Sequence, residues 1–408
     1  KGAGVQLLRE APSARRRPTP GHMADARVEF SAFGPLQLLA SVHIFVHHLW
    51  QQASYLDPYW FRAWGPSWVS CFFVLSGFKL TYTQLRRRDP SKIEDFVPYS
   101  WRRLIRLVPT YYVSLALVFA DKKWSGHFVP TWVTLPFNAL LIFTWMGSTA
   151  GGWHAGWHGS HWYMGDLLFH QICWRFVCPW VSKISLPACW GVLTCCVVIL
   201  FLRLALIKLE IAEQKVTFFA PYTFNQFLAG MVLARLIHCR VHEPGVPADR
   251  LALLVRGKRW PLSGVLTLLA NVLIFRFHPG DVHEALPNGV WSGMLLPVHL
   301  LLVWNITLEE GPLDWLAQRR PFCWAGELSY GVYIFHWNAV WFVVKYGKRW
   351  LPQRWPEEAR FCVLILPATI LLAALVARLI DDPIQAWGRW VLRRYAATDR
   401  PRGHEKAA

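Results

Sequence analysis

Charge is scarce in this chain. Only 17% of its 408 residues are Asp, Glu, Lys or Arg, where a soluble domain carries about a quarter. Acidic residues are the scarcer kind, 25 against 43 basic ones. That deficit excludes an ordinary soluble globular protein. Cysteine is present but unpatterned: nine residues, an odd number, at 71, 173, 178, 189, 195, 196, 239, 323 and 362. They offer neither a disulfide framework nor a paired CxxC metal spacing, and read as small buried side chains. Residues 1–32 are polar and Arg-rich and lack the apolar core of a secretory signal peptide. A disordered basic segment is expected there, and an incomplete start, because the sequence opens on Lys1 and not on Met.

What the chain does hold is apolar length. Hydrophobic residues make up 54% and mean hydropathy is +0.24. They come in runs long enough to span a hydrocarbon core, which takes roughly 20 residues of helix. Candidate spans are 33–50, 68–85, 104–120, 130–146, 162–181, 187–207, 218–237, 261–277, 290–308, 328–344 and 361–380. The fold class expected is all-α, a polytopic transmembrane helical bundle in a single membrane domain over 33–390, followed by a basic tail, 391–408. The 25 Trp residues suit interfacial aromatic belts. A net charge of +18 would suggest nucleic acid in a soluble domain. Here the basic residues lie between spans, so the partner they imply is the lipid bilayer and not nucleic acid.

Loop charge sets a topology. Eleven crossings with the N-terminus inside would put the basic loop 238–260 outside, against the positive-inside tendency. Treating 162–181, which holds Asp166, His170 and Arg175, as a non-crossing piece gives about ten crossings. Both ends, the Arg-rich loop 86–103 and the loops 238–260 and 309–322 then face the cytosol. The loop 278–288, without Lys or Arg, faces outward, and the basic outer loop 348–354 remains a misfit.

Several spans carry ionisable or polar groups, which are expensive at membrane depth and so mark functional positions. His336 sits inside the apolar run Gly326-Glu327-Leu328-Ser329-Tyr330-Gly331-Val332-Tyr333-Ile334-Phe335-His336-Trp337. In the first span, Gln37 and His48 are eleven residues apart, which at about 100° per residue puts them on one face roughly three turns apart. His43 and His47 stand at i, i+4, a possible metal pair or interhelical hydrogen-bonding groups. Arg103 and Arg106 are one turn apart at the start of the third span. Guanidinium groups there can clamp phosphate through bidentate hydrogen bonds or anchor to lipid headgroups. The segment 151–166 is rich in Gly, His and Trp. Exposed Trp and His stack on sugar rings and bond hydroxyls, so an acceptor platform is expected, with a zinc site from His154, His158 and His161 as the other reading.

The run ending at His336 resembles the "G-x-x-SY-x-x-Y-x-x-H" segment of the acyltransferase family 3 integral-membrane O-acyltransferases. Phe72-Phe73-Val74-Leu75-Ser76-Gly77-Phe78 resembles that family's "FFxLSGF". Arg102-Arg103-Leu104-Ile105-Arg106-Leu107-Val108-Pro109 is similar to its "RR-x-x-R-x-x-P". Trp162 and Met164, with Asp166 beside the expected acidic position, look like its "H-x-W-[SF]-L-x-x-E". Asn225-Gln226-Phe227-Leu228-Ala229-Gly230 and Ile380-Asp381-Asp382-Pro383 resemble its "eFxxG" and "IE-x-P". The first-span signature, Arg, ten residues and His, carries over at His48, but Gln37 stands where the family has Arg. Either another cation substitutes or this branch works differently.

The resemblance implies transfer of an acyl group, commonly acetyl, from acyl-CoA to a hydroxyl of a carbohydrate or lipid-linked acceptor. No cofactor beyond the acyl-CoA donor is expected, and no metal. The site expected has His48 as base, His336 as second polar group and Tyr330 orienting them. Arg102, Arg103 and Arg106 would bind the donor; Gln37, Ser76, Trp162 and Asp166 the acceptor. Gly77 reads as helix packing, and no triad supports Ser76 as a nucleophile. Two other classes stay open. One is the membrane acyltransferase type that pairs a His with an Asn, for which His336 and Asn338 qualify. The other is a lipid or solute transporter of the same architecture.

Overall fold

A computed structural model describes residues 30, 33–56, 62, 64–87, 89, 93–124, 135–145, 160–209, 219–242, 263–274, 293–308, 315–316 and 319–398. Among them the regular structure is helical, with no strand. The helices are α1 (Phe33–Ala53), α2 (Ser67–Leu85), α3 (Phe96–Trp124), α4 (Leu135–Ala139), α5 (His161–Val181) and α6 (Leu186–Lys208). They continue as α7 (Ala220–His242), α8 (Ser263–Ile274), α9 (Leu296–Leu308) and α10 (Arg320–Trp350). The last, α11, runs helically through 357–398 and includes π-helical turns at Phe361–Ile365 and Ala377–Asp381. The segments 1–29, 146–159, 243–262 and 275–292 lie outside the described residues, so the outer loop 278–288 and the candidate ligands His154 and His158 fall there.

Two helix pairs form the interior. α1 packs most extensively on α10, and α2 on α7. Each pair closes around glycine. A Cβ on Gly77 would stand 2.1 Å from the carbonyl oxygen of Phe227, and one on Gly230 would stand 2.1 Å from that of Val74. Only bare backbone fits at that crossing, the packing role expected of Gly77. At the other pair a Cβ on Gly326 would lie 2.6 Å from the Cα of Gly34. Ser41 then ties α1 to α10, donating to the carbonyls of Gln37 at 2.8 Å and Ser329 at 3.2 Å.

Among the described residues, three helices are long and apolar enough to cross a membrane: Phe96–Asp121, Leu186–Leu206 and Glu357–Tyr395. The apolar helices Val265–Ile274 and Leu296–Thr307 are shorter. α1, α2, α5, α7 and α10 hold more polar side chains and turn many of them inward. All nine cysteines are free thiols.

One expected span is corrected. Within 130–146 the described part is not a membrane-length helix but the five-residue α4, ended by Leu141 at φ 59°. A broken helix leaves carbonyls without intrahelical donors, which is tolerable only where protein supplies them. Here the hydroxyl of Tyr111 donates to the Asn138 carbonyl at 2.7 Å and that of Tyr112 to Ala139 at 2.8 Å.

Candidate active site

The α1–α10 pairing brings the two singled-out histidines together from opposite ends of the chain. The rings of His48 and His336 stack with centroids 5.3 Å apart and planes 17° from parallel. Trp337 meets His48 edge-on at 4.3 Å, and Phe45 and Tyr333 flank His336 at 5.8 Å and 5.4 Å. Both imidazoles are buried. Nδ1 of His336 bonds the Tyr333 carbonyl. A carbonyl oxygen only accepts, so Nδ1 carries the proton and the neutral ring keeps its lone pair on Nε2. That Nε2 is buried and has no hydrogen-bond partner among the described residues. Nδ1 of His48 bonds the side-chain oxygen of Gln51 at 3.2 Å, which fixes the same tautomer.

His43 and His47 do not face one metal. Nδ1 of His43 accepts from the Trp68 indole at 2.9 Å, while Nδ1 of His47 donates to the Arg62 carbonyl at 3.1 Å. No set of three or more His, Cys, Asp or Glu among the described residues could hold a metal ion.

Tyr330 lies two turns before His336 on α10, about 9 Å along the axis. Its hydroxyl donates to the Leu107 carbonyl at 2.6 Å. It therefore fixes α10 against α3, one residue past Arg106. Tyr163 and Tyr333 were not foreseen: their rings meet at 5.0 Å, and the Ser76 hydroxyl lies beside the Tyr163 phenol. A line of phenols thus leads from Ser76 on α2 towards His336. The aromatic spacing of α10, Tyr330, Tyr333, His336, was the available signal.

The three arginines differ. Arg102 pairs with Glu94, and Arg103 lies over the Tyr99 ring at 5.4 Å. Arg106 is exposed and pairs with no carboxylate among the described residues. Gln37 accepts from the Lys79 ammonium at 2.8 Å. Sequence reasoning passed over Lys79, although it is the one charged residue of α2.

Trp162 and Asp166 are not on an exposed platform. Trp162 is 5% exposed and Asp166 fully buried, because they open α5, which packs on α7 and α2. Asp166 accepts from Thr223 at 2.6 Å, and His170 reaches the same hydroxyl at 3.0 Å. Two further interior links join distant helices. Thr110 donates to Asp381 at 2.5 Å, seating the second π-turn of α11 on α3. Ser114 donates to Asn338 at 2.8 Å and contacts His161 at 3.2 Å.

A family model described as an acyltransferase domain matches residues 36–378, the stretch over which the motifs run. A peptidoglycan O-acetyltransferase of Listeria monocytogenes is 23% identical over 377 residues, covering 86% of this chain. The chain spans about half the length of that curated relative, 55% of it. No solved structure matches.

Proposed function

Because the chain belongs to the acyltransferase family matched over 36–378, we propose that it is a membrane O-acyltransferase moving an acyl group, acetyl in the first instance, from acyl-CoA to a carbohydrate or lipid-linked hydroxyl. The observation that carries this reading is the stacked His48–His336 pair, two buried imidazoles with Nδ1 committed, and with the Nε2 of His336 without a partner among the described residues. The Listeria relative, named for acetylating peptidoglycan, supports a carbohydrate acceptor.

The step needs one base. His48 Nε2 takes the proton of the acceptor hydroxyl, whose oxygen attacks the thioester carbon. The tetrahedral intermediate collapses with loss of the C–S bond, and the departing CoA sulfur takes the proton back from the imidazolium. Near-neutral titration suits imidazole to both halves of that exchange. His336 places a second lone pair beside the first, and Tyr330 holds its helix in register with α3. The donor's phosphates lie towards Arg103 and Arg106, and the acceptor towards Ser76 and its phenols. Ten crossings with both ends cytosolic fit the loop charges apart from 348–354 when the broken segment 130–146, and not 162–181, is the one that does not cross, and the donor then enters from the cytosol.

His48→Ala should reduce turnover by about 10²–10⁴-fold, the usual share of general acid–base catalysis, with CoA binding little changed. Full activity in that variant would remove His48 as the base. Thiol release from acetyl-CoA dependent on an added glycan separates this reading from transport.

A further inference from the structure

Lys79 is the one charged side chain of α2, two residues past a helix crossing that admits no side chain at Gly77. A charge inside an apolar, mostly buried helix is costly and is kept paired or in use. Lys79 has no carboxylate partner among the described residues. Its ammonium is directed by one neutral acceptor, the Gln37 side-chain oxygen at 2.8 Å, and lies 5.4 Å from the centre of the Phe33 ring. An ammonium has three N–H donors, so two remain without a partner among the described residues.

The nearest strong field makes matters worse for it. Arg106 on α3, itself without a carboxylate, is close enough to repel Lys79. Two unpaired cations held near each other by three helices lower their energy when an anion lies between them. Along α1, Gln37 precedes His48 by eleven residues, roughly 16 Å of helix. Between these levels lie Ser76, one turn before Lys79, and the Tyr163 and Tyr333 phenols. The gap is the length of an extended pantetheine arm, with cations at one end and the imidazole pair at the other.

We propose that Lys79, steered by Gln37, is a phosphate ligand of the acyl donor. With Arg106 it engages the diphosphate of acyl-CoA and sets the depth at which the thioester stops, at the level of His48. This rests on the acyl-CoA reading given above. It also answers the missing cation of α1: the charge comes from α2, and Gln37 serves as its guide.

The test compares two donors on purified protein in nanodiscs, acetyl-CoA and S-acetylpantetheine, which has the same arm and no diphosphate. Lys79→Gln should raise the KM for acetyl-CoA and the Kd for CoA by about tenfold or more, as expected for losing a hydrogen bond to a charged group. The KM for S-acetylpantetheine should not change. Lys79→Arg should stay within a few-fold of wild type, and Lys345→Gln, which removes a cation already paired with Asp121 at 2.5 Å, should leave CoA affinity alone. If Lys79→Gln yields no folded protein, Gln37→Leu carries the test, with a few-fold rise in KM for acetyl-CoA alone. Equal CoA affinity in wild type and Lys79→Gln overturns the proposal, as does an equal loss for both donors. Loss of co-purified anionic lipid with CoA affinity intact assigns Lys79 to a headgroup instead and also overturns it. A wild-type protein that binds no CoA would sink the donor reading as well, which tells the two failures apart.

Discussion

α1 and α6 are close in length, 21 and 23 residues, yet they solve opposite problems. α6 turns Val198, Ile199, Phe201 and Leu202 outward, each about half exposed, and it is among the helices apolar enough to cross a membrane. α1 buries Ser41, His47 and His48 and passes its polar groups to α2, α10 and the residues that follow it. Hydropathy therefore finds the helices that face lipid. The helices that bring the buried histidines together are more polar, because their environment is other protein, and they are recognised by what they bury.

The sharpest way to break this comparison is to add one methyl group to each class of helix. Gly230→Ala drives a Cβ into the Val74 carbonyl and should cost more than the roughly 1–3 kcal/mol usual for overpacking. Loss of monodisperse protein on size exclusion is the expected readout; a normal melting curve would mean that α2 and α7 do not cross so closely. Next come the interior hydrogen bonds. Thr223→Val removes one hydroxyl donor from Asp166, and Thr110→Val does the same to Asp381, so each should lose about 1–3 kcal/mol in detergent unfolding. No loss in either would make those carboxylates solvated and the interior wetter than described. On α6, by contrast, Gly191 has nothing within 4 Å of an added Cβ. Gly191→Ala should stabilise by about 0.5–1 kcal/mol through helix propensity alone. Last, Leu202→Ala on the outward face should stay within about 0.5 kcal/mol of wild type; a large loss would place a partner on that surface.

The all-helical class was legible because apolar runs of spanning length admit little else. His48 and His336 were legible for a related reason, since an imidazole in such a run stands out. Their stacking was not, because periodicity within one helix says nothing about which distant helix faces it. Lys79 carried the same signal as His336, an ionisable group within an apolar run. Its reach across to α1 depends on a long side chain between helices, which spacing does not encode. Trp162 and Asp166 were read as exposed because a segment rich in Gly, His and Trp looks alike whether it borders water or opens a buried helix. The break after α4 was hidden because its cost is met by Tyr111 and Tyr112 from another helix.

His48 and His336 are separated by 288 residues of chain, as are Ser41 and Ser329, which clamp the same two helices. α1 leaves the ribosome carrying one of the two stacked imidazoles and waits for α10 before the other arrives. Until α10 docks, His48 lacks its stacking neighbour, so a chain that has not reached α10 has no assembled imidazole pair. On the proposed mechanism, activity is thereby tied to the insertion of α10.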